Sequence, residues 1–223
     1  MQITKRLYFY REVPSRFFIT SNSYIVIDDT KIIIDPGHWR NLDNLLRNIR
    51  EDGFDPKEIG LILNTHAHMD HCSANRDLKS KIEAKIAMHK LDAEFLPVAE
   101  NIAKGFGDSL PKFTVDLLLG EQLHTGTYTF KIIHTPGHTP GGICLYEPRT
   151  RTLFSGDTVF PGGGIGRTDL EGGDPKQLAK SVATLSTLDV EMLCAGHADV
   201  TTFNVKKQIL ASLQFARMVA NQY

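Results

Sequence analysis

Cysteine is scarce. The 223 residues hold three, Cys72, Cys144 and Cys194, odd in number, far apart and without a Cys-x-x-Cys pair. That excludes a disulfide framework and is read as a reducing compartment, the cytoplasm. Basic stripes are missing too: Lys and Arg total 25 against 26 acidic residues, with no block of either sign. Nothing here recruits nucleic acid or an anionic membrane surface. No apolar run approaches the ~18 residues of a membrane span. The opening stretch is broken by Lys5, Arg6, Arg11 and Arg16, so it does not read as a signal peptide. These absences leave a soluble, cytoplasmic protein whose partner is a small molecule. The chain is long enough to bury a sizeable core without disulfide help, and residues 1–223 are read as one domain.

What is present is strand grammar followed by ligand-type residues. Short aromatic or β-branched runs at 7–10, 17–20, 24–27 and 32–35 are separated by turn residues. Leu42, Leu45, Leu46 and Ile49 then fall at helical spacing and stop at Gly53. Residues 60–64 read as a buried strand, 73–80 as a short helix and 84–88 as another strand. Residues 90–106 carry a helical stripe interrupted around Pro97. A second series of strands is expected at 116–119, 127–134, 142–146 and 152–155. A helix opened by Asp174-Pro175, a strand at 191–195 and a helix capped by Asn204 follow. The order suggests two similar halves, each with a hairpin ending on an acid, Asp35 in one and Asp157 in the other.

The stretch from His66 through His68, Asp70 and His71 sets three imidazoles and a carboxylate behind the apolar run Leu61-Ile62-Leu63. If the chain stays extended, His66, His68 and Asp70 share one side by the two-residue alternation of a strand. His71 joins them only if the chain turns at Asp70. Three further apolar runs lead through glycine to His138, Asp157 and His197. Convergence of strand ends on such residues is how sheet proteins build sites, and this donor set reads as a metal site. His38, His89, His124 and His134 lie off the pattern and are read as structural or solvent-facing.

In chain order, His66-Ala67-His68-Met69-Asp70-His71, Thr135-Pro136-Gly137-His138-Thr139-Pro140-Gly141-Gly142, Ser155-Gly156-Asp157-Thr158 and Gly196-His197 resemble the signature of the metallo-β-lactamase superfamily. Asp35 in Ile34-Asp35-Pro36-Gly37 is similar to its first, mainly structural motif. The resemblance implies an α/β (α+β) fold, a four-layer αββα sandwich with metals at one edge of the two sheets. It implies His66, His68 and His138 on one ion, Asp70, His71 and His197 on another, and Asp157 bridging them. Two divalent ions per chain are expected, zinc first, with iron or manganese as alternatives.

Residues 160–174, including Gly166-Arg167-Thr168-Asp169-Leu170, are similar to glyoxalase II-like (hydroxyacylglutathione hydrolase-like) proteins. The implied activity is cleavage of a small-molecule thioester or ester by a metal-bridging hydroxide. Asp70 doubles as catalytic residue by orienting that hydroxide and taking its proton, and Arg167 is the candidate for binding an anionic substrate group, the alternative being a loop-bracing salt bridge with Asp169 or Asp174. Glyoxalase II carries a C-terminal domain that supplies part of its glutathione site, whereas the stretch after His197 is enough for one helix. Cys72 and Ser73 stand where the family commonly has glycines. A mononuclear iron persulfide dioxygenase, and a lactonase or phosphodiesterase of the same fold, stay open as alternatives. Residues 90–106, as lid or interface, and the C-terminal helix are the faces on which a homo-oligomer would form.

Overall fold

Three successive isoleucines set the layering. Along a strand side chains alternate, so Ile32 and Ile34 face one way and Ile33 the other. Ile32 and Ile34 pack with Leu61, Leu63, Phe130, Leu145 and Phe154 between two sheets. Ile33 packs with Ile25, Ile62 and Ile86 under a helix. Both faces of this sheet are therefore buried, which requires a layer on each side.

The computed structural model describes residues 1–11 and 15–222. Seven strands form the first sheet in sequence order: β1 (Gln2–Thr4), β2 (Leu7–Tyr10), β3 (Ser23–Val26), β4 (Lys31–Ile34), β5 (Ile59–Leu63), β6 (Lys85–Met88) and β7 (Leu117–Leu118). Pairing is antiparallel from β1 to β4 and parallel from β4 to β7. The second sheet contains β8 (Gln122–His124), β9 (Thr129–His134), β10 (Ile143–Glu147) and β11 (Thr152–Gly156). After the small ribbon of β12 (Val159–Phe160) and β13 (Gly164–Ile165), β14 (Met192–Ala195) joins the second sheet parallel to β11, giving the order β14-β11-β10-β9-β8.

Helices cover the outer faces. α1 (Leu42–Glu51) lays Leu42, Leu45, Leu46 and Ile49 on the first sheet. The short helices α2 (Met69–Cys72) and α3 (Asn75–Lys79) follow β5, and α4 (Lys90–Gly105) packs Phe95, Ala99 and Ala103 against Ala67, Cys72 and Met88. On the second sheet, α5 (Pro175–Leu185) and α6 (Val205–Ala220) set Leu178, Val182, Ile209 and Leu213 over Cys144, Tyr146, Leu153 and Leu193. The result is the expected αββα sandwich. All three cysteines are buried and free.

Several expectations need correction. Residues 17–20 form no strand. Phe17 and Ile19 are 85% and 62% exposed. Thr20 Oγ1 accepts the His38 N–H at 3.0 Å, and Ser21 N–H donates to the Asp70 carbonyl at 2.9 Å, so the segment is a loop beside the histidines. β8 had no clear alternation and was not anticipated. α4 runs unbroken through Pro97; proline costs one intrahelical hydrogen bond, which the packing of its buried face offsets. Asn204 occupies the expected cap position of α6 but is left-handed at φ 48° and makes no side-chain cap bond. Asp174 does cap α5, its side chain accepting from the N–H groups of Lys176 and Gln177. Among the described residues, no helix is long and apolar enough to cross a membrane.

Candidate metal centre

His66 and His68 come from the segment between β5 and α2, which bends at Thr65 and His66 instead of continuing extended from the strand. β5 ends at Leu63, and His68 is again extended at φ −70°, ψ 148°. The chain then turns into α2 at Met69, so Asp70 arrives with His71 from the first turn of a helix, not from a strand. His138 follows β9, Asp157 follows β11 and His197 follows β14, all at the same edge of the sandwich. Two glycines make the approach possible. Gly156 sits at φ +46°, and a Cβ there would meet Thr65 Oγ1 at 2.5 Å. At Gly196 a Cβ would lie 2.2 Å from Asp157 Oδ1.

The structure brings all seven residues together. His66, His68 and His138 form one group with ligand atoms within 4.8 Å of one another; Asp70, His71 and His197 form another; His66, His71 and Asp157 join them. His68 Nδ1 and His138 Nε2 converge to 2.9 Å. His197 Nε2 lies 3.2 Å from Asp70 Oδ2 and 3.4 Å from Asp157 Oδ2. His71 Nε2 and Asp157 Oδ1 are 3.3 Å apart, an ion-pair distance, yet neither atom has a hydrogen-bond partner. His66 Nε2 and His68 Nε2 are likewise buried and unpartnered.

Buried polar atoms without partners are costly. Imidazole and carboxylate donors that converge in this way fit a divalent cation, and the all-nitrogen-and-oxygen set suits zinc, iron or manganese. The metallo-β-lactamase fold is one that binds divalent metals.

A second set of groups orients the first. Asp35 Oδ1 accepts the Thr65 N–H at 2.8 Å; its Oδ2 accepts the Thr65 hydroxyl at 2.6 Å and His71 Nδ1 at 2.9 Å. With its proton given to Asp35, Thr65 Oγ1 is left to accept from His66 Nδ1 at 3.1 Å. His138 Nδ1 donates to the Arg167 carbonyl at 2.7 Å. In all three rings Nδ1 is thus directed outward and Nε2 faces the centre, with a lone pair on the neutral His66 and His138 and, on His71, a proton that a cation would have to displace.

Sequence reasoning missed Asp92. It is fully buried at the start of α4 and accepts from Ala67 N–H (2.8 Å), Thr139 Oγ1 (2.8 Å) and Gly141 N–H (2.6 Å), tying two histidine-bearing loops together. The only local signal was an acid inside an otherwise apolar helical stripe.

The electrostatics fit a cation. Burial pushes the His66, His68 and His138 imidazoles down, His68 to about 3, so these rings are neutral with lone pairs available. Burial also opposes a charge on His71, but the carboxylates of Asp157, Asp70 and Asp35 win and raise it to about 10. Burial raises the carboxyl of Asp157 and that of Asp70, yet His71 and His197 outweigh it and hold both well below the usual range. Burial lifts Asp92 to about 6 despite its three donors.

The centre opens into a cavity of about 300 Å³ bordered by His68, Asp70, His138, Asp157 and His197. Arg167 lines it, but its Nε and Nη2 donate to Asp169 at 2.8 and 2.7 Å. A smaller cavity of about 140 Å³ lies between the sheets at their other end, lined by Arg6, Val26, Phe130 and Glu147 among others and without histidine. The remaining histidines stay outside the cluster. His38 is buried with Nε2 3.2 Å from Asp108, His89 and His134 stack, and His124 is exposed beside Thr129.

Comparison with known proteins follows the same lines. The model of the metallo-beta-lactamase superfamily matches residues 16–197. A probable metallo-hydrolase, MJ0888 of Methanocaldococcus jannaschii, is 34% identical over 191 residues, covering 81% of this chain and 89% of its own. The hydroxyacylglutathione hydrolase GloC of Haemophilus influenzae is 34% identical over 196 residues, covering 84% and 90%. Among solved structures, TTHA1623 in a di-iron-bound form is 32% identical with a TM-score of 0.72, covering 87% of this chain and 92% of that one.

Proposed function

The chain belongs to the metallo-beta-lactamase superfamily, and from that premise we propose that it is a binuclear metal-dependent hydrolase cleaving a small-molecule thioester or ester. The observation that carries this reading is the cluster itself: seven ligand-type side chains gathered together, five of them bordering one cavity, with four buried nitrogen and oxygen atoms facing no partner. His66, His68 and His138 would hold one ion; Asp70, His71 and His197 the other; and Asp157, within reach of both groups, would join them. When bound, the ions supply a water of lowered pKa and Lewis-acid polarisation of the scissile carbonyl.

The chain's own residues supply the rest. Asp35, Thr65 and the Arg167 carbonyl fix the tautomers of His71, His66 and His138. Asp70 lines the cavity and is held ionised. Its carboxylate accepts a hydrogen of the attacking water and so aims the oxygen at the carbonyl carbon. As the water oxygen bonds to that carbon, the carbonyl π pair moves onto the carbonyl oxygen and a water proton passes to Asp70. When that pair returns, the carbon–sulfur or carbon–oxygen bond breaks and its electrons leave on the thiolate or alkoxide; an alkoxide takes the proton from Asp70, whereas beside a thiolate it leaves through the cavity mouth. The kinship with a hydroxyacylglutathione hydrolase of similar length supports a thioester, and the small, enclosed centre supports a small-molecule partner.

The test is metal analysis of protein purified without chelator, beside turnover of S-lactoylglutathione and simple thioesters under air and under nitrogen. About two metals per chain with oxygen-independent cleavage is the expected result. One iron per chain, no hydrolysis and oxygen uptake with a glutathione persulfide would replace the hydrolase with a dioxygenase. Asp70→Asn is expected to retain most of the metal while losing turnover; loss of both together would reduce Asp70 to a ligand alone.

A further inference from the structure

Beyond the histidines and carboxylates, the cavity wall is apolar. Positions 99, 102, 103 and 106 share one face of a helix by their spacing of three and four. All four line the cavity; Ala99 and Ala103 are buried in the core under α4, Ile102 packs against that core partly buried, and Phe106 extends the stripe to solvent. Met69, Phe160 and Leu170 complete the wall, with Ile19 at the mouth. Ile19 and Phe106 are 62% and 56% exposed, so large apolar groups face water beside the centre, an arrangement associated with ligand grooves.

The one cation among the lining residues is already engaged. Arg167 gives Nε and Nη2 to the two oxygens of Asp169, and its guanidinium carbon lies 5.8 Å from the centroid of the Phe106 ring. It covers an aromatic face at the rim. With Nε and Nη2 engaged, Nη1 is the nitrogen left for a substrate carboxylate, and the two-point grip of the fork is already spent on Asp169. Among the described residues, the wall therefore offers no unpaired positive side chain for the two carboxylates of glutathione.

The geometry points to a substrate whose non-reacting group is neutral and apolar, an aliphatic or aryl acyl thioester or ester seated against Ile102, Phe106 and Leu170. This rests on the hydrolase reading and adds the substrate class to it. In this reading the Arg167 side chain braces the rim through Asp169, the second of the two roles weighed for it, and its carbonyl orients His138.

Two measurements on the metal-loaded protein test it. The first compares kcat/KM for acetyl, butanoyl and hexanoyl thioesters of N-acetylcysteamine with that for S-lactoylglutathione. An increase of about fourfold per methylene is expected until the cavity is filled, with hexanoyl exceeding the glutathione thioester. Phe106→Ser flattens the series through KM. The second is calorimetric titration with acetate, butanoate and hexanoate, which reads the apolar wall without turnover. Affinity is expected to rise with length, and the heat-capacity change to become more negative. Rising alkanoate affinity with no thioester or ester cleaved would overturn the hydrolase reading and leave the apolar site standing. A flat or falling length series in both measurements, or a preference for S-lactoylglutathione that Arg167→Gln removes, would overturn the apolar substrate while leaving the hydrolase.

Discussion

Asp35 and Asp157 occupy the same place in the two halves of the molecule. Each is the first residue after a strand, β4 or β11, that pairs antiparallel with its predecessor and parallel with a later strand. Each stands where the backbone passes through left-handed space. In the first half the acid itself takes that conformation, at φ 51°; in the second, Gly156 takes it one residue earlier, at φ 46°. Asp35 is turned into the protein, where three donors consume its oxygens. Asp157 is carried to the cavity edge with Oδ1 unpartnered. Topological position brings an acid to the edge of the sandwich, and the residue bearing the left-handed turn decides whether it braces the site or faces it.

Breaking the outward-facing acid has the largest expected effect. Asp157→Asn is expected to lower metal affinity by more than ~100-fold, beyond the range for groups that only orient ligands; metal content after dialysis against a weak chelator reads it. Asp35→Asn removes the acceptor for His71 Nδ1 and is expected to cost ~10–100-fold in metal affinity. Equal losses in the two variants would erase the distinction between them.

Asp92 sharpens the contrast, because it too spends its oxygens on the loops but titrates at about 6. A buried acid whose folded pKa is raised above the ordinary value of 3.8 binds its proton more tightly when folded. Asp92 therefore subtracts stability from the metal-free protein as pH climbs from about 4 to about 6, at no more than ~1.4 kcal/mol per pH unit, against the gain over the same window from His66, His68 and His138, whose imidazoles are held below their ordinary value of 6.5. Urea titrations of Asp92→Asn should lack the Asp92 share and so gain stability with pH more steeply than the parent; an unchanged slope would leave Asp92 without this role. Gly156→Ala is expected to act on stability rather than directly on the donors, by roughly 1–2 kcal/mol from the left-handed backbone and more from the 2.5 Å approach of the added Cβ to Thr65 Oγ1. Asp35→Gly, measured alongside, should relieve the same strain yet weaken metal binding.

The sandwich and its edge were legible because burial of both faces of β4, β5 and β11 demands continuous apolar runs, and ligand-type residues then punctuate those runs. His66, His68, His138, Asp157 and His197 could be read from their places at strand ends. Asp70 could be named but not placed, since strand parity gave the wrong geometry for a residue inside a helical turn. Asp92 was invisible: its partners are two backbone N–H groups and a threonine hydroxyl, none of which leaves a mark in sequence spacing. Residues 17–20 misled because aromatic and β-branched composition suits a strand whether or not a neighbouring edge exists to pair with.

The loop carrying His197 is held from the far end of the chain. Tyr24 gives its hydroxyl to the Ala195 carbonyl at 2.6 Å, and Asn22 Nδ2 donates to the carbonyls of Ala195 and Ala198 at 3.0 and 2.6 Å. These bonds close loops of more than 170 residues. A growing chain can display His66 through His71 long before β14 exists, yet it has no complete set of donors until that last strand docks against the first half. A complete second group of donors is thereby made conditional on the whole fold: a chain cut short of residue 197 would keep His66, His68 and His138 in its sequence but leave Asp70 and His71 without the third member of their group.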